Sequence, residues 1–162
     1  MALTRDVDTD DSGSGTDGTI HNNAWLQSIY DTIELEWTWD SVTHSDANFT
    51  GDGTDGNWVV AAGDQDNFKH RRHGKKVDFK VTIVTSSVAN TPAILTIAIP
   101  GGFTALNNDG GTFWYSDNGT SGLGRWYVQA SGTVINLVKT SGNWTNATNN
   151  TSVQVQGHFE IT

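Results

Sequence analysis

The chain has 162 residues, no cysteine and a formal net charge of −9. That length suits one domain with a real core, the lack of cysteine excludes disulfides and thiolate metal sites, and no 18-residue apolar run is present to cross a membrane as a helix. Eighteen glycines, and fifteen Asp against three Glu, favour strands and tight turns over long helices.

Residues 1–20, MALTRDVDTDDSGSGTDGTI, are small, acidic and rich in Gly, Ser and Thr. They carry too little apolar surface to fold alone, so residues 1–21 read as an extended anchoring arm. No apolar stretch follows Arg5, so the opening does not read as a secretory signal. Asn22 or Asn23 can cap a helix by accepting a hydrogen bond from an early amide. Trp25, Leu26, Ile29, Tyr30 and Ile33 then form one apolar stripe, which predicts a short amphipathic helix over 22–33. About three turns of helix are marginal in isolation and need a surface to pack on. Together with Trp37 and Trp39, this stripe is the expected oligomer and anchor interface, with a homotrimer as the expected assembly.

From Ile33 the apolar period changes to two, and Ile33, Leu35, Trp37 and Trp39 alternate with Glu34, Glu36 and Thr38. Residues 34–162 are therefore expected to form the β-domain. A Gly/Asp-rich loop spans 45–57, and Trp58 to Ala61 is a short strand. Phe68 to Arg72 and Lys76 to Ser86 predict a hairpin across His73-Gly74, with Val77, Phe79, Val81 and Ile83 facing inward. The apolar run Ala93 to Ile99 reads as a central strand buried on both sides, ended by Pro100-Gly101-Gly102. Three more strands are expected at 112–116, 124–130 and 133–139. A last one at 152–162 turns Val153, Val155, Gly157, Phe159 and Ile161 inward. With the chain closing on that strand, a tether is expected at the N-terminal side. Eight or nine strands at these spacings predict an all-β, jelly-roll-like antiparallel β-sandwich.

Charge is unevenly placed. Residues 1–66 hold fourteen acids and one base, whereas 67–80 hold six of the nine bases. Lys69, Arg71, Arg72, Lys75 and Lys76, with Lys80, form a basic hairpin suited to pairing with the acidic arm of a neighbouring subunit.

Two stretches carry a family likeness. The opening LTRDVDTDDSGSGTDGTIHNNAWLQSIYDTIE resembles the N-terminal segment of minor structural proteins of tailed bacteriophages. The stretch NFKHRRHGKKVDFKVTIVTSS…PAILTIAIPGGF is similar to a β-sandwich module of phage head and tail accessory proteins. Together they cover about half of the chain. The resemblance implies a virion location, jelly-roll-like sandwiches, trimers, and other virion proteins as partners.

No residue pattern argues for chemistry. Asp6, Asp8, Asp10 and Asp11 resemble the start of a calcium loop, but a loop beginning at Asp8 would need a bidentate acid where Thr19 stands. His70 and His73 point to opposite faces of a strand, which argues against a metal pair. Glu34, Glu36 and Asp40 read as solvated carboxylates rather than a glycosidase pair. The aromatics of the C-terminal third suggest instead a glycan platform at Trp114, Trp126 and Trp144, flanked by loops at 107–111 and 117–124. Nucleic acid is disfavoured by the net charge. The expectation is thus a non-enzymatic virion structural protein, a head decoration, fibre or tail accessory, with no cofactor, no metal and no membrane segment. The alternative is a carbohydrate-binding module for a host surface glycan.

Overall fold

The computed structural model describes Ser28, Ile29, Asp31 and residues 38–162. Residues 1–33 and 34–162 are two compact units. In the first, Ser28, Ile29 and Asp31 are helical. The arm at 1–21 lies outside the described residues, as do Trp25, Leu26, Tyr30, Glu34, Glu36 and Trp37.

The second unit is all-β. Its strands are β1 (Asp40–Ser41), β2 (Phe49–Gly51), β3 (Trp58–Val59), β4 (Gln65–His73), β5 (Lys76–Val88), β6 (Leu95–Ala98), β7 (Asp109–Asp117), β8 (Thr120–Val128), β9 (Val134–Lys139) and β10 (Ala147–Glu160). They pair antiparallel in the order β1-β4-β5-β10-β7-β8-β9-β6-β2, with β3 alongside β5. The sheet curls, so that Phe49 of the terminal strand β2 meets Trp58 of β3 edge-to-face, with ring centroids 5.3 Å apart. The result is a half-barrel, or sandwich, around one apolar core.

The expected period-two alternation is what the long strands show. In β5, Val77, Phe79, Val81 and Ile83 are buried, as are Val153, Val155 and Phe159 in β10 and Ile161 just beyond it. Gly157 holds the inward position between Val155 and Phe159. A side chain there would overlap the Trp126 ring, which fills that space. Trp126 in turn meets Phe79 edge-to-face at 5.1 Å, and Phe79 lies 5.9 Å from Phe159.

The register of β5 changes beyond Ile83. Ile83 faces Val153 and Ser86 faces Thr151, so two residues of β5, Val84 and Thr85, stand opposite Ser152 alone. Thr85 adopts φ +52° to make this bulge. The bulge turns Ser86 and Val88 inward and extends the strand to Val88. Ser86 is fully buried yet satisfied: its hydroxyl accepts from the Trp58 indole at 2.9 Å and donates to the Thr151 carbonyl at 2.8 Å. A buried polar group is tolerated in a core when it is bonded in this way.

The run at 93–99 forms only β6, Leu95–Ala98, which lies between β9 and the terminal strand β2 rather than at the sheet centre. Leu95 and Ile97 enter the core. Thr96 lies on the other face, hydroxyl to hydroxyl with Thr50.

Candidate ligand-binding face

Strand parity decides which aromatics reach solvent. In β7, Phe113 and Tyr115 turn inward, which forces Trp114 outward, where it is 39% exposed. In β8, Gly124, Trp126 and Val128 take the inward positions, so Leu123, Arg125 and Tyr127 face out. Trp126 is therefore 3% exposed and Trp144 0%. This corrects the expected glycan platform of Trp114, Trp126 and Trp144, of which only Trp114 is available. Trp126 pairs in register with Gly111 rather than with Trp114, and a side chain on that glycine would run into the indole. Trp144 closes the core beside Phe113 and Tyr115, with ring centroids at 6.2 and 5.4 Å.

The loops expected to flank the platform are also different. Residues 109–117 are strand, and β7 turns into β8 through Asn118 and Gly119 alone, at φ +49° and +79°. Those angles belong to the two-residue turn that matches the natural twist of a hairpin.

What surrounds Trp114 is a sheet surface. Gln154 of β10 and Leu123 of β8 are its direct cross-strand neighbours, and Leu123 is 61% exposed. A groove of about 370 Å³ lies here, lined on its outer side by Lys80, Thr82, Thr112, Trp114, Gln154 and Gln156. A second open hollow, of about 730 Å³, continues from Thr112 past Arg125 and Tyr127 to Gly110 and Asp109. Gly110, directly opposite Tyr127, adds no side chain to that hollow. The arrangement offers a flat indole, amide side chains that both donate and accept, and hydroxyls on a rigid sheet. Gln154, Gln156 and Arg125 belong to no sequence motif, and their signal is their place in the alternation beside inward Val153, Val155 and Trp126. Lys80, a base of the hairpin, enters the groove by the same alternation beside Val81.

The basic hairpin forms as expected but its charges do not act as one patch. Arg71 and His73 both turn to Asp78, at 3.0 and 3.3 Å, and Lys76 lies 3.9 Å from the same carboxylate. The Arg71 guanidinium also lies 4.8 Å from the centre of the Trp39 ring, which is 38% exposed. Arg72 projects the other way, over Phe103 at 5.7 Å, and donates to the Gly74 carbonyl at 2.7 Å. Lys75 is exposed beside the turn. Lys69 and Lys80 stand directly opposite one another on the outer face. Neither forms an ion pair among the described residues.

His70 and His73 point to opposite faces. His70 packs edge-on against Phe103 at 6.1 Å, and its Nδ1 is buried without a hydrogen-bond partner among the described residues. Burial holds its pKa below the ordinary histidine value, and Asp40, its cross-strand neighbour, opposes that shift. The most buried carboxylate among the described residues is structural. Asp117 accepts from the Lys139 ammonium at 2.6 Å and from the Thr145 amide and hydroxyl at 3.0 and 2.9 Å. Lys139 is itself covered by the Tyr115 and Trp144 rings, each 5.7 Å away.

Among the described residues, no three His, Asp or Glu side chains converge in a metal-binding group, and no helix is long and apolar enough to cross a membrane. The acidic run at Asp6–Asp11 and the Glu34–Glu36 pair lie outside the described residues. No family model, curated protein or solved structure matches the chain.

Proposed function

We propose that this chain is a non-enzymatic β-domain of the virion accessory type its sequence resembles, and that it binds a surface glycan through the groove at Trp114. The observation that carries the binding reading is the outward row Gln154–Trp114–Leu123. An exposed indole on a sheet face, with an amide beside it and a second amide at Gln156, suits the apolar face and hydroxyl rim of a sugar ring. A mobile loop site would lose entropy on binding, whereas these side chains already stand on paired strands. The virion location, the trimer and the anchoring role rest on the opening segment, its acidic arm and the apolar stripe at 22–33.

The two parts of the proposal separate experimentally. Deleting residues 2–20 is expected to leave a folded β-domain that no longer joins a particle, and normal incorporation of the truncated chain sinks the anchoring role. A glycan array probed with the intact chain tests binding, and a Glu36→Gln variant tests catalysis. Glycan cleavage by the parent chain that disappears in Glu36→Gln overturns the non-enzymatic reading.

A further inference from the structure

We infer that the ligand of this groove is an anionic saccharide, one whose carboxylate lies over Lys80 while a ring of the chain stacks on Trp114. The inference rests on the glycan-binding reading and names the chemical class that reading leaves open.

The first ground is an uncompensated charge. Lys69 and Lys80 are cross-strand partners on the same face. Like charges placed directly opposite on a sheet repel. In a chain of net charge −9, an acid near them would be the simple remedy. The neighbouring bases show it in use, since Arg71, His73 and Lys76 gather around Asp78. Lys69 and Lys80 have no ion pair among the described residues. An incoming anion would relieve the repulsion that the free protein carries.

The second ground is where that charge lies. Lys80 lines the same groove as Trp114, with Gln156 directly opposite it on β10. Among the described residues, no carboxylate lines this groove. Arg125 faces out beyond Thr112, its cross-strand partner, and adds positive charge where the two hollows join. Asp109 enters only with the second hollow. Lys80 and Trp114 are two strands and two residues apart by register. Standard strand spacing and rise put their backbones about 12 Å apart. That separation suits a chain of linked sugars better than a single ring.

An anionic protein surface could exploit the same lysines, but it would not need the indole and two amides in a row beside them. That combination favours the saccharide, and an acidic peptide becomes an outcome of the test. The test uses carboxylated oligosaccharides, namely hexuronate and sialylated chains, each with its carboxyl-reduced neutral counterpart, and an oligoglutamate peptide. Affinities are measured by calorimetry for the parent chain, Lys80→Gln and Trp114→Ala. At least one carboxylated chain is expected to bind about tenfold or more tightly than its reduced form, as the loss of a charge-assisted hydrogen bond implies. Lys80→Gln should erase most of that difference and leave the weaker neutral binding in place. Trp114→Ala should weaken both forms. Equal binding of acid and reduced forms, or no effect of Lys80→Gln, overturns the inference and leaves glycan binding standing. Binding to oligoglutamate as strong as to the saccharides, insensitive to Trp114→Ala, overturns it in favour of a protein partner. No binding to any saccharide overturns both.

Discussion

The two faces of the β7–β8 hairpin are built from the same residue types and do opposite things. On the inner face, Trp126 is sealed between Phe79, Gly111 and Gly157, and Asp117 is closed in by Lys139 and Thr145. On the outer face, Trp114 is left open beside Gln154, and Lys80 stands in the groove without an acid among the described residues. In the first group the Trp126 ring is packed against Phe79, and the Asp117 carboxylate is bonded to Lys139 and Thr145. The second group stands on paired strands and faces solvent. The difference separates residues that hold the fold from residues free to meet a ligand, although residue type alone does not distinguish them.

Substitutions that break the inner face should have the largest effect on folding. Trp126→Ala removes the ring that packs on Phe79 and Gly157, and it should cost about 3–5 kcal/mol of stability, read as a drop in the denaturation midpoint. Asp117→Ala leaves the Lys139 ammonium buried under two rings without its carboxylate, and should cost about 3 kcal/mol. A denaturation midpoint unchanged by either substitution would contradict the packing described for this face.

A smaller effect sharpens the comparison at its margin, where His70 is half-buried. Its pKa in the folded chain is lowered by burial, so the unfolded chain binds more protons as the pH falls below the ordinary histidine value. The stability linked to neutral His70 is fully present above about pH 6.5 and is lost as the pH falls toward the lower, folded-state pKa. Unfolding free energies compared across this window should therefore fall more steeply in the parent chain than in His70→Gln. Equal slopes would remove His70 from the account.

Much of this division was legible in the sequence, because a half-buried strand writes its two faces as alternate letters. Val77 through Ile83 and Val153 through Ile161 declare their inward positions, and Gly74 marks the hairpin, whose turn is Gly74-Lys75, one residue later than the expected His73-Gly74, with His73 paired to Lys76. The same rule, applied to Phe113-Trp114-Tyr115, singles out Trp114 as the residue left outside. In β8 the same rule sets Gly124, Trp126 and Val128 against Leu123, Arg125 and Tyr127, so closeness of Trp126 to Trp114 in sequence does not give them a shared face. The Asn118-Gly119 pair is a strong hairpin signal that shortens the expected loop to two residues. The bulge at Thr85 has no comparable signal. A threonine at φ +52° is imposed by the need to match β5 to β10 around buried Ser86, which is a property of the pairing rather than of the local residues. Trp144 is likewise decided at long range, since its indole donates to the Leu137 carbonyl at 3.4 Å and its backbone amide to Pro92 at 2.9 Å.

The most direct test of the account is to compare folding and glycan binding in Trp114→Ala. The residue is exposed on a sheet face, so its loss should change stability by no more than about 1 kcal/mol. Binding to the saccharides recognised by the parent chain should weaken about tenfold or more, as the loss of a stacking platform implies. A folded Trp114→Ala variant that binds those saccharides as tightly as the parent would contradict the claim that this face is the binding site.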